Sequence, residues 1–163
     1  MKKTLKFVAA ASAAGVLALA AAPVDAGHGV AEQTIGLNAA REVGSPGEKG
    51  ASGKITLEFY GPGGDYGLDD TSHICYDITV RNTSAMTGLH IHEAGRKESG
   101  PVVVALAGTE FPTIENPEGD PCVAVSDELF NELLETPSDY YVNFHTTAAR
   151  GGAIRGQLHD FGG

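Results

Sequence analysis

The sequence predicts an all-β fold, a Greek-key-like antiparallel β-sandwich with one short helix and one disulfide, behind a cleaved export signal. Three observations predict it. Apolar and polar residues alternate at period two, as in Ile55, Leu57 and Phe59 against Lys54, Thr56 and Glu58. The alternating runs are short and divided by glycine, proline and small polar residues, the spacing of sandwich or barrel strands. Helical periodicity is confined to one stretch, which follows Ser126 and stops at Pro137.

The N-terminus reads as a secretory signal. Lys2, Lys3 and Lys6 precede an apolar run at 7–22, and Val24-Asp25-Ala26 has the small-x-small form of a cleavage site. The run is alanine-rich and short of the roughly 20 residues that span a bilayer, so no membrane span is expected after cleavage. Residues 1–26 are thus the expected signal peptide and 27–163 one exported domain, periplasmic or secreted. Cleavage removes three lysines and one aspartate, which takes the formal charge from -10 to -12. Such an acidic balance argues against a sequence-independent grip on nucleic acid, which needs many clustered cations, and disfavours anionic membrane surfaces.

Along the mature chain, the apolar run at 34–40 suggests an edge strand, and 44–50 a glycine- and proline-marked loop. The strand around 55–59 ends at Gly61-Pro62-Gly63-Gly64, which cannot continue a ladder. Asp65, Asp69 and Asp70 follow in a loop without the spacing or terminal glutamate of an EF-hand, so a solvated acidic loop is expected. Strands are expected at 73–81, 88–93, 101–106, 122–125, 139–146 and 153–159. Ser126 can cap a helix with Asp127 and Glu128 in its first turn and Leu129, Phe130, Leu133 and Leu134 on one face, a lid over one end of the sandwich. Cys75 and Cys122, exported as an even pair, most simply form one disulfide, the alternative being a two-thiolate metal site.

Strand parity directs the histidines. In Leu89-His90-Ile91-His92 the apolar residues take the core face and the two imidazoles the outer face. In Tyr141-Val142-Asn143-Phe144-His145, Val142 and Phe144 point inward, with Tyr140 on their side, and Tyr141, Asn143 and His145 point outward. The last strand sends Arg155, Gln157 and His159 outward as well. If these strands are neighbours, His90, His92 and His145 form a nitrogen ligand set suited to copper or zinc, with positions left for water or Glu93 and support from Asn143, Arg155 and Gln157. The alternative is that these histidines are solvated or bonded to Asn143 and Gln157. His73 and His159 are weaker candidates, and His28 lies next to the expected new N-terminus.

The segments Gly88-Leu89-His90-Ile91-His92-Glu93-Ala94-Gly95, Gly100-Pro101-Val102-Val103-Val104-Ala105-Leu106, Tyr140-Tyr141-Val142-Asn143-Phe144-His145-Thr146 and Gly152-Ala153-Ile154-Arg155-Gly156-Gln157-Leu158 resemble the CHRD domain, named for chordin and found in microbial exported proteins. The resemblance covers about 34–158, implies an all-β sandwich and favours the disulfide. A more distant resemblance is to the copper-zinc superoxide dismutase sandwich. It implies copper ligation by His90, His92 and His145 and a substrate-guiding role for Arg155, on a copper-only site because no second histidine cluster is present for zinc.

The resulting expectation is an exported binding module rather than an enzyme, with no catalytic residue assigned and a metal ion or an extracellular protein as partner. A copper-only, superoxide dismutase-like oxidoreductase is the enzymatic alternative. A structural or protein-interaction module without metal is the third reading.

Overall fold

The computed structural model describes residues 31–63, 70–108, 114–115 and 119–161. The expected signal peptide, His28, Asp65 and Asp69 lie outside the described residues. Among the described residues no helix is long and apolar enough to cross a membrane.

Among the described residues nine strands form one hydrogen-bonded sheet: β1 (Ala31–Asn38), β2 (Ser52–Tyr60), β3 (Ser72–Arg81), β4 (Met86–Glu93), β5 (Val102–Ala107), β6 (Ile114–Glu115), β7 (Pro121–Val125), β8 (Tyr140–Thr146) and β9 (Ile154–Gln157). Their order is β5-β4-β8-β9-β1-β2-β3-β7-β6, and every paired neighbour is antiparallel. The sheet does not stay open. The Tyr76 hydroxyl on β3 donates to the Leu106 carbonyl on β5 at 3.0 Å, although these strands stand six places apart in the order. The sheet therefore folds over on itself, and Ile35, Leu37, Ile55, Leu57, Ile91 and Val142 from both halves share one core.

The alternation read from sequence is the alternation of burial. On β2, Ile55, Leu57 and Phe59 are buried while Lys54 is exposed and Thr56 and Glu58 half-buried. The expected edge strand at 34–40 is corrected: β1 is an interior strand between β2 and β9, its paired stretch running from Ala31 to Asn38. Gly156 makes that neighbourhood possible, because a β-carbon there would stand 2.6 Å from the Gly36 carbonyl oxygen. The strand β6 had no sequence signal, since two residues cannot show a period.

The helix α1 (Asp127–Glu135) is capped as expected, with Ser126 Oγ accepting from the Leu129 N–H at 3.2 Å. It buries Phe130 and Leu133, and Phe130 meets Phe59 at 6.2 Å between ring centroids. Cys75 and Cys122 are directly paired residues on β3 and β7 and form the disulfide, which overturns the two-thiolate metal alternative.

Candidate metal centre

The strand register assembles three rows across β4, β8 and β9. Gly88 stands opposite His145, His90 opposite Asn143 and then Arg155, and His92 opposite Tyr141 and then Gln157. Side chains on one face of such rows are nearest neighbours. The three imidazoles consequently meet: ring centroids are 5.8 Å apart for His90 and His92, 5.0 Å for His90 and His145, and 5.9 Å for His92 and His145. One nitrogen from each ring falls within 4.8 Å of the other two. Register shifts against β5 fall immediately before His90 and immediately before His92, the kind of irregularity that re-aims side chains.

Two ring orientations are fixed by the main chain. His92 Nδ1 is bonded to the Gly100 carbonyl and His145 Nδ1 to the Arg150 carbonyl, each at 3.0 Å. A carbonyl only accepts, so each Nδ1 carries the proton and each Nε2 presents a lone pair. Those two Nε2 atoms and His90 Nδ1 are buried without a hydrogen-bond partner among the described residues. Burial, together with the neighbouring His145 and His92, holds the His90 pKa down at about 4. Burial also lowers His92, offset in part by its bond to Gly100. The pair His90 and His92 is thus held neutral, the form in which imidazole binds a metal.

The outer face that carries these groups is covered, which counts against the alternative that the histidines are solvated. Tyr141 is 2% exposed, Arg155 2% and His92 9%. The cover is the segment 94–100 between β4 and β5, pinned through its carbonyls. Arg155 donates to Glu98 O at 2.6 Å and Gly95 O at 2.9 Å, and Gln157 Nε2 donates to Ala94 O at 2.8 Å. The Gly100 N–H is held by the Tyr141 hydroxyl at 3.3 Å. Arg155 also lies 3.3 Å over the Tyr141 ring, which stacks on His92 at 4.9 Å. These bonds hold the guanidinium as a brace under a loop.

The remaining expected residues divide. Asn143 is buried beside the cluster, its Nδ2 donating to Glu42 Oε2 at 3.4 Å. Gln157 supports the cover and not the imidazoles. Glu93 is exposed, and strand alternation turns it to the face opposite His92, so it is not brought to the cluster. His73 is buried against the Thr71 carbonyl at 2.8 Å, and His159 bonds near the Thr34 carbonyl at 3.4 Å, both away from the three histidines. Sequence reasoning missed Gly88, whose missing side chain admits the His90 ring, and Glu42, which comes from the segment after β1. The motif Gly-Leu-His-Ile-His held the first signal; the second had none, because its partner is 101 residues away.

No curated protein and no solved structure matches the chain. The family model of the CHRD domain matches residues 34–158, which runs from within β1 to just past β9 and includes His90, His92, His145 and both cysteines. The chain belongs to the CHRD domain family.

Proposed function

We propose that this protein is an extracytoplasmic binding module that takes up one copper or zinc ion at His90, His92 and His145. The observation that carries the reading is the set of three buried ring nitrogens left without partners, two of them oriented by carbonyls on the opposite side of the ring. A buried acceptor without a partner costs about 1–3 kcal/mol, and three converging on one point are a cost that an ion removes. Metal–nitrogen bonds of about 2.0–2.1 Å hold donors no more than about 4.2 Å apart. A pair at the 4.8 Å bound of the group would have to close by about 0.6 Å to share an ion. Neutral imidazoles select copper or zinc over calcium or magnesium, which prefer oxygen. The ion would supply Lewis acidity there, and copper also a redox couple. The disulfide and the sequence signal support the extracytoplasmic setting.

Calorimetric titration of chain 27–163 with copper and with zinc tests the reading, beside a His90→Ala/His92→Ala/His145→Ala variant with an unchanged circular dichroism spectrum. One-to-one binding weakened at least about a hundredfold in the variant is expected. Binding that survives the triple substitution, or none in the parent chain, overturns it. Superoxide disproportionation by the copper form, abolished in the same variant, would make the site an oxidoreductase centre.

A further inference from the structure

A cleft of about 440 Å³ opens beside the brace, walled by the segment 40–43 after β1 on one side and by the 94–100 cover on the other. Its lining includes Arg41, Arg96, Lys97 and Arg155. Beyond residue 26 the chain has eight lysines and arginines, so half of them line one cleft in a protein of formal charge -10. Like charges gathered against the sign of the whole molecule repel one another and cost stability unless an anion joins them.

Among the described residues none of the four is held in an ion pair. Arg41 donates to the Gly36 carbonyl, and Arg155 to Gly95, Glu98 and Gln157. These bonds orient the guanidinium groups, and among the described residues the one opposing charge that acts on them is the nearby Glu42, which attracts Arg155. Glu42 is the acid in the lining, and burial raises its carboxyl to about 7. Its Oε1 is buried without a hydrogen-bond partner.

We propose that this cleft binds a small multiply charged anion, carrying carboxylates or phosphates, between Arg41 on one wall and Arg96 and Lys97 on the other, above the Arg155 floor. Two cationic walls favour a ligand with more than one anionic group, and the planar arginine fork matches carboxylate and phosphate oxygens alike. The inference stands apart from the histidine reading, since it uses neither the imidazoles nor a metal.

The test is calorimetry on metal-free chain 27–163 with citrate and with pyrophosphate, and acetate as the singly charged reference, at fixed ionic strength. An Arg41→Gln/Arg96→Gln/Lys97→Gln variant is compared with Lys49→Gln/Lys54→Gln/Arg81→Gln, which removes equal charge elsewhere. Saturable one-to-one binding of citrate or pyrophosphate, weakened at least about tenfold in the cleft variant and under about twofold in the other, is expected. The tighter of the two probes identifies the anion as carboxylate or phosphate. Equal loss in both variants, acetate binding as tightly as the polyanions, or no saturation overturns the proposal. The exposed pair Arg96→Gln/Lys97→Gln, free of side-chain hydrogen bonds among the described residues, serves if the triple variant does not fold.

Discussion

A β-carbon at position 88 would lie 2.8 Å from Cε1 and 3.1 Å from Nε2 of His90, so the ring reaches toward His145 only because its neighbour along the strand has no side chain. The obstacle is the end of a side chain that can rotate, not backbone, so Gly88→Ala is expected to fold and to swing the imidazole away. Metal affinity should fall about 10–100-fold with the circular dichroism spectrum unchanged, as measured by calorimetric titration. Gly108→Ala, where an added methyl meets nothing within 4 Å, should leave affinity as it is. Glu42 yields a pH prediction. Burial raises its pKa from 4.5 to about 7, so between those values the folded protein holds a proton that the unfolded chain has released. Stability from this group is therefore full below 4.5 and is lost as pH rises through about 7. Urea midpoints measured across that window should decline for the parent chain relative to Glu42→Gln, and parallel curves would refute the assignment.

The cover 94–100 depends on β9 more than on its own contacts with β4 and β5. Arg155 supplies two hydrogen bonds to the carbonyls of residues 95 and 98 and a cation–π contact with the Tyr141 ring, which a lysine ammonium cannot reproduce together. Arg155→Lys is expected to lower stability by about 2–4 kcal/mol, because carbonyls beneath the cover lose their donors. It should also speed amide hydrogen exchange at residues 95–100 before the sheet itself exchanges. Denaturant unfolding and exchange mass spectrometry check the two effects; slow exchange in the cover with an unchanged midpoint would contradict the brace. Parity made the facing of His90, His92, His145 and Arg155 legible in the sequence, because a strand's side chains alternate whatever it pairs with. The cover was not legible. It depends on which carbonyls of an irregular segment reach Arg155, about 60 residues along the chain, and no periodic pattern encodes that separation.

At the scale of the molecule, the sequence disclosed strands and turns but not the order that joins β4 to β8 and β9 to β1, since neighbours distant in sequence are chosen by fit across the core. The interior place of β1 is the clearest case: its partner β9 approaches only where Gly156 leaves room for the Gly36 carbonyl. The disulfide joins two such distant strands, with a sequence separation of 47 residues, and packs with Tyr60 outside the main core cluster. Closing a loop of that length removes entropy from the unfolded chain worth about 4 kcal/mol. A Cys75→Ala/Cys122→Ala variant is therefore expected to lose up to about that much in urea unfolding, with β7, paired with β3 over only Ser72–Cys75, exchanging its amides first. The histidine rows are built on β4 and β8, toward the other end of the strand order, and none of their bonds passes through β7. Copper or zinc affinity of the folded variant should accordingly match the parent within about twofold. Affinity that fell with the disulfide at full foldedness would show that the imidazoles depend on the pairing of β3 with β7, and a stability loss under about 1 kcal/mol would show that β3 and β7 stay together in the unfolded chain without the bond.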